Sequence, residues 1–239
     1  MNTEEFSNGF DVILDSNKLS PEYSEAETPI TIVLDEYEKS WFLTKAQYQL
    51  VEELYLGANR TRTSFEGSEE LRSKLRNLIN TKILNKADIS SGGLSPLSKF
   101  FNAEDDVLFI TYESAILSDD KAGCMNGKEI EIVPITQDEY HRIKKNPFRK
   151  TTKSRALRLD YGKVDNNLIL EVISEYNIKD YTIRYIKKPD PIIVSNLGSD
   201  LTIEGKSNRT ECALDPSLHN LILERAATLA IASKARGNK

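Results

Sequence analysis

RALRLDYGKVDNNLILEVISEYNIKDYTIRYIKKPDPIIV, residues 155–194, is the stretch on which the fold turns. RALRLDYG, NLILEVIS and KDYTIRYIKKPDPIIV each read as a strand, rich in residues that suit a pleated, half-buried surface. In the third, Tyr181, Ile183 and Tyr185 alternate with Thr182, Arg184 and Ile186, which is the two-residue period of a strand. A meander is their simplest pairing.

Toward the N-terminus the same texture continues. DDVLFITYESAILS (105–118) is rich in strand formers, and ISSGGLSPLSKF (89–100) reads as a loop. KAGCMNGKEIEIVPIT (121–136) holds a turn at Asn126-Gly127, then a strand in which Ile130 and Ile132 alternate with Glu129, Glu131 and Val133. Thr136 to Lys145 reads as a short helix, with Thr136 as cap and Glu139 at the third helical position. It stops before Asn146-Pro147, because a residue preceding proline avoids the α region.

Helices flank this β-rich region on both sides. Asp35 and Glu38 form a capping box at the head of a helix over 35–56, with Leu43, Ala46, Gln47, Leu50, Val51 and Leu54 on one face and Gly57 as the stop. A second amphipathic helix is expected over 68–84, capped by Ser68 and burying Leu71, Leu75, Leu78 and Ile79. Asp215 caps the last helix, over 215–236, and Pro216 occupies the first helical position, where a missing N–H costs nothing. Leu218, Leu221, Ile222, Ala226, Leu229 and Ala230 form its buried face. The expected fold class is therefore α+β: a small helical bundle, two N-terminal helices plus a C-terminal one, with a β-rich insertion over 105–205. Residues 1–34 read as an extended acidic arm and 35–239 as a single domain.

The chain has 239 residues, 39% hydrophobic and 29% charged, which suits a folded protein. No long apolar run and no signal layout occur, so a cytosol-like compartment and no membrane partner are expected. Charge is unevenly spread. Residues 1–40 carry ten acids against Lys18 and Lys39, in a chain of net charge -5. Residues 142–158, RIKKNPFRKTTKSRALR, carry eight Lys or Arg and no acid. Arg142, Lys144, Lys145, Arg149, Lys150, Lys153 and Arg155 are the candidate interface residues of this segment.

Catalytic patterns are sparse. His141 and His219 fall inside expected helices with no nucleophile motif beside them, and a helical histidine is more often a surface or interface residue. Cys124 and Cys212 are too far apart for a CxxC site and read as free thiols. No phosphate-binding glycine loop and no metal-ligand cluster are present in the pattern, so no cofactor or metal is expected. Pro189-Asp190 followed by Glu204-x-Lys206 matches the loose spacing of a nuclease superfamily, in which two carboxylates hold a divalent cation beside a lysine. That pattern is short, and Glu204-Gly205-Lys206 has the composition of a turn tip rather than a strand interior. The basic segment has the charge to neutralise phosphates, yet Phe148 is its single aromatic residue and offers no stacking platform. Protein docking or a solvated loop is the better reading of it.

Three long stretches carry a resemblance: LDEYEKSWFLTKAQYQLVEELY (34–55), VPITQDEYHRIKKNPFRK (133–150) and LDPSLHNLILERAATLAIASKA (214–235). With SEELRSKL, IRYIKKPDPIIV and TECALDP between them, they resemble the structural proteins of crAss-like phages that infect Bacteroides and relatives, in particular ring or adaptor components of the portal–tail complex. The resemblance implies a non-enzymatic virion protein with a head-to-tail adaptor-like fold, assembled in the host bacterial cytoplasm. It would form a cyclic ring of twelve copies that matches the portal and contacts other connector ring and tail proteins. Genomic DNA would pass through the ring without sequence-specific binding. An acidic chain suits such a channel, because repeated cations would hold phosphates and stall ejection. The basic segment would then face a neighbouring subunit, with the acidic arm of the adjacent copy as its complement. The alternatives are a nucleic-acid-binding or nuclease-like phage protein using residues 142–158 with Asp190, Glu204 and Lys206, and an assembly factor absent from the mature particle.

Overall fold

The structure, a computed structural model, describes residues 1–18, 33–57, 65–89, 92–198 and 200–237. In chain order the elements are α1 (Thr3–Lys18), α2 (Glu36–Leu56), α3 (Glu69–Lys74), β1 (Ile79–Lys86), β2 (Ser98–Asn102), β3 (Val107–Leu117), β4 (Glu129–Pro134), α4 (Tyr140–Ile143), β5 (Arg155–Val164), β6 (Asn167–Ile173), β7 (Ile178–Lys187) and α5 (His219–Gly237). They divide into two compact units, Met1–Leu78 with Pro189–Lys239, and Ile79–Lys188, where the sequence suggested one domain over 35–239.

The first unit is built on α2 and α5, which pack on each other. Asp35 caps α2 in a full capping box with Glu38, and Gly57 ends the helix at φ 75°, a left-handed conformation that costs glycine little. All six residues expected on its inner face are buried. Ion pairs Arg225–Glu53 and Lys234–Glu38 tie α5 to α2 along the flank. A second buried stripe on α2 is polar. Ser40 Oγ accepts the Val194 N–H, Thr44 Oγ1 accepts the Ile192 N–H, and Gln47 Nε2 donates to the Asp190 carbonyl. Residues spaced by four and three thus stand in for a neighbouring strand, and satisfy backbone groups that would otherwise be buried without partners.

Two expectations for this unit are corrected. The arm drawn as extended over 1–34 contains helix α1, whose Phe6, Phe10 and Leu14 recur every four residues, are buried, and pack it on α5. Residues 19–32 of that arm lie outside the described residues. The helix expected over 68–84 is only Glu69–Lys74, closed by a 3-10 turn at Arg76–Leu78. Leu71, Leu75 and Leu78 are buried as that helical period requires, but from Ile79 the chain becomes β1.

The second unit is a closed seven-strand barrel in the order β1-β2-β6-β5-β4-β3-β7. The mixed helix-and-strand class holds, while the β-rich part begins at Ile79 rather than 105 and ends at Lys187. Closure removes every free sheet edge, a standing liability of open sheets. β5 and β6 form the first hairpin of the expected meander, but β6 continues to β2, and β7 pairs with β1 and β3. β4 and β5 are parallel, and α4 lies in the crossover between them. Tyr181, Ile183 and Tyr185 point inward with Phe101, Ala115, Ile130, Ile132, Ala156 and Val172. A smaller cluster, Leu157, Leu159 and Ile173, is covered by Tyr140 and Ile143 from α4.

Candidate functional site

The basic segment forms the outward end of the β4–β5 crossover. Four residues of helix, Tyr140–Ile143, replace the ten expected from Thr136 to Lys145. Burial of Tyr140 and Ile143 anchors this short helix on the barrel, at roughly 1.5–3 kcal/mol per large side chain removed from water. Beyond it Asn146 braces the tip. Its Oδ1 accepts the Phe148 N–H at 3.0 Å, and its carbonyl accepts the N–H groups of Arg149 at 3.1 Å and Lys150 at 3.0 Å. From the far side the Arg155 guanidinium donates to the Phe148 carbonyl at 2.9 Å. The tip is held in one shape, and that shape leaves Phe148 86% exposed.

The eight cations of 142–158 do not act as one group. Arg158 turns inward, where its guanidinium lies 2.8 Å from Glu113 and 2.5 Å from Asp160. Those carboxylates outweigh the effect of burial and raise its pKa above the usual arginine value. Arg155 pairs with Glu131 at 3.4 Å, Arg142 reaches Asp138 at 3.9 Å, and the Lys144 ammonium lies 5.5 Å from the centre of the Tyr140 ring. Among the described residues, Lys145, Arg149, Lys150 and Lys153 are exposed and have no carboxylate within ion-pairing distance. The sequence reading did not give Phe148 its role, although one aromatic residue after Asn-Pro inside a run of cations is a legible mark of a braced, apolar-tipped turn.

The rival site comes together only in part. Lys206 Nζ lies 2.6 Å from Asp190 Oδ1, and the Tyr48 hydroxyl donates to Glu204 Oε2 at 2.8 Å. Burial first, then that hydrogen bond, pushes the Tyr48 pKa far up. Glu204 has φ 51° and Gly205 φ 76°, so the pair sits at a turn tip, bridged by Ile203 and Lys206. Lysine and carboxylate are consumed in one salt bridge, which pins this tip to its surroundings. No group of three metal-ligating side chains exists among the described residues.

His219 is buried, not surface-exposed. Its Nδ1 accepts from the Met1 ammonium at 3.0 Å, Nε2 lies 3.3 Å from the Leu214 carbonyl, and its ring packs against Phe6 with the planes tilted by 53°. His141 is exposed beside Tyr140. Cys124 is exposed, and burial pushes the Cys212 thiol up to about 11. The carboxylates of α1 are partly used within the chain: Glu4 pairs with Arg209 at 3.2 Å and Asp11 with Lys39 at 2.8 Å.

A family model described as phage tail ring protein 3/4 matches residues 1–239. Ring protein 3 of Bacteroides phage crAss001 is 46% identical over 242 residues, covering 100% of both chains. Ring protein 4/5 of the same phage is 34% identical over 241 residues, covering 98% of this chain and 93% of that one.

Proposed function

The chain belongs to the phage tail ring protein 3/4 family, and from that premise we propose that it is a structural ring component of the virion. It is not an enzyme. The observation that carries this reading is the family match over residues 1–239. The ring stands at the portal vertex as a head-to-tail connector between portal and tail. It comprises twelve copies in register with the portal, is assembled in the host cytoplasm, and encloses part of the channel through which DNA is ejected. Two different ring proteins of one phage align with this chain over nearly its full length, which supports a stack of homologous rings as its setting.

The structure supports the reading in physical terms. A closed ring needs a heterologous contact in which each copy presents one surface to a different surface on the next. The braced tip at Phe148, with Arg142, Lys144, Lys145, Arg149, Lys150, Lys153 and Arg155 on and around it, has the composition of a protein interface: an exposed aromatic anchor inside a polar rim. DNA does not account for that anchor, since a single phenylalanine makes no stacking platform. Cryo-electron microscopy of the tail vertex, with mass spectrometry of purified particles, tests the reading. The expected result is this chain in a closed ring next to the portal, at the portal's copy number. Its absence from purified particles overturns the reading. Tight binding or Mg²⁺-dependent cleavage of labelled DNA at physiological salt would favour the nuclease-like alternative.

A further inference from the structure

The first unit holds an open, largely polar cavity of about 400 Å³, lined by Glu4, Ser7, Asn8, Glu36, Val194 and Arg209 among others. Its walls come from α1, the first turn of α2 and the extended chain after Pro191. For scale, a cavity of roughly 150 Å³ accepts benzene. The described residues of 1–18 and 33–40 carry seven acids against Lys18 and Lys39, while 142–158 carries eight cations and no acid. Lys39 is buried between Asp11 and Glu36, and Arg209 pairs with Glu4, while Glu4, Glu5 and Asp11 are each half exposed or more.

We propose that the Phe148 tip of one copy seats in the Glu4–Glu36 cavity of a second copy, and that this is the contact which closes the ring. The inference rests on the ring reading above and names the partner of its interface. Three observations carry it. The backbone under Phe148 is fixed by three N–H groups donating to Asn146 and by Arg155 on its own carbonyl, so the turn need not be ordered on docking. Lys145, Arg149, Lys150 and Lys153 lack carboxylate partners within ion-pairing distance among the described residues, whereas at the cavity Arg209 is paired with Glu4, and Lys39 with Asp11 and Glu36. The cavity volume exceeds that of a benzene-sized site, and the half-exposed carboxylates on its rim, each already paired once within the chain, keep outward oxygens for the cations on either side of that ring.

Sedimentation velocity of the full-length chain tests this, because the two halves of the contact can be broken separately. At about 100 µM, well above a micromolar Kd, the unaltered chain associates head to tail, and salt raised to about 1 M weakens it. Phe148→Ser weakens association about thirtyfold, as loss of a central anchor does. Lys145→Glu/Arg149→Glu/Lys150→Glu stays monomeric, and so does Asn8→Trp, which obstructs the cavity without changing its charge. Mixing the triple variant with Asn8→Trp yields a 1:1 complex and nothing larger, since one intact contact remains. Association of Asn8→Trp at unaltered strength, or a mixture that stays monomeric, overturns the proposal. A chain that is monomeric under every condition also overturns the self-contact. The ring reading, decided on purified particles, would survive that result.

Discussion

Arg158→Met is the most demanding test of the barrel. The arginine reaches the interior from β5, and its Nη2 and Nε lie 2.8 Å and 3.0 Å from Glu113 Oε1 on β3. The two side chains are 13% and 5% exposed, and the Tyr181 hydroxyl donates to the other Glu113 oxygen at 3.3 Å. Removing the guanidinium strands a carboxylate in the barrel wall, and breaking a buried pair from one side costs about 3–5 kcal/mol. That is about a fifth or more of the stability of an ordinary domain. The same argument says the pair itself adds little, so neutralising the partner gives back most of the loss. Arg158→Met/Glu113→Gln keeps an acceptor for Tyr181 and recovers about 2 kcal/mol or more. Trp41, the only tryptophan, sits on α2 in the other unit, so barrel stability is read from hydrogen exchange of β3, β5 and β7 amides in urea. A loss below about 1 kcal/mol for Arg158→Met, or a double variant no better than the single, would refute the reasoning.

Two further outcomes are expected. Burial, then the facing Met1 ammonium, lowers the His219 pKa against the opposing pull of the Leu214 carbonyl, Asp215 and Glu5. A lowered histidine pKa means the unfolded chain takes up the proton first, so the first unit loses stability as pH falls below about 6.5, by at most about 1.4 kcal/mol per pH unit. Trp41 fluorescence in urea reads it, and His219→Gln flattens the profile between pH 7 and 5. In the β1–β2 loop, a Cβ on Gly93 would lie 2.7 Å from Ser98 Cβ and 3.2 Å from Glu171 Oε1. Gly93→Ala therefore displaces the loop that Glu171, 2% exposed, holds through the Leu94 N–H at 2.7 Å and the Ser98 hydroxyl. The cost is about 1–3 kcal/mol, seen as faster exchange at Leu94 with little change in α2.

Local chemistry in this chain is legible where neighbours in sequence supply it. The Asp35–Glu38 box, Gly57 as C-cap, Asp215-Pro216 and the Asn126-Gly127 turn all use partners within four residues, and each is found where its pattern places it. The misreading at 68–84 has a definite cause. Leu71, Leu75 and Leu78 keep helical spacing, and nothing in that spacing marks where a helix yields to a strand. The switch is made by β7, which pairs with six consecutive residues from Ile79 to Leu84. Those ladder bonds outweigh a helix propensity of a few tenths of a kcal/mol per residue. Helix α1 is missed for the opposite reason. Ser7, Asn8 and Gly9 are poor helix formers, and burial of Phe6, Phe10 and Leu14 on α5, some two hundred residues away, supplies what propensity lacks. Barrel closure is likewise non-local: β6 and β7 are adjacent in sequence but not paired, and only the register of all seven strands says so.

The same distinction decides what can be read of the site. Counted along the chain, residues 142–158 are eight equivalent cations, and their sum invites a phosphate-binding label. In space they divide by direction. On β5 the alternation of a strand sends Ala156 and Arg158 into the barrel and Leu157 and Leu159 to the outer cluster, so Arg158 becomes a wall residue by parity alone. Arg155 turns back to hold the Phe148 carbonyl, which makes it a brace rather than a free charge. Lys145, Arg149, Lys150 and Lys153 remain on the outer edge around Phe148. A loop kept only for solubility gains nothing from a phenylalanine fixed in water, whose exposure forgoes roughly 1.5–3 kcal/mol of burial. An electrostatic grip on DNA gains nothing from it either. A protein surface with a cavity inside an acidic rim gains from the aromatic ring and the cations together. The aromatic residue, not the charge count, is therefore what favours the proposed docking role over DNA binding.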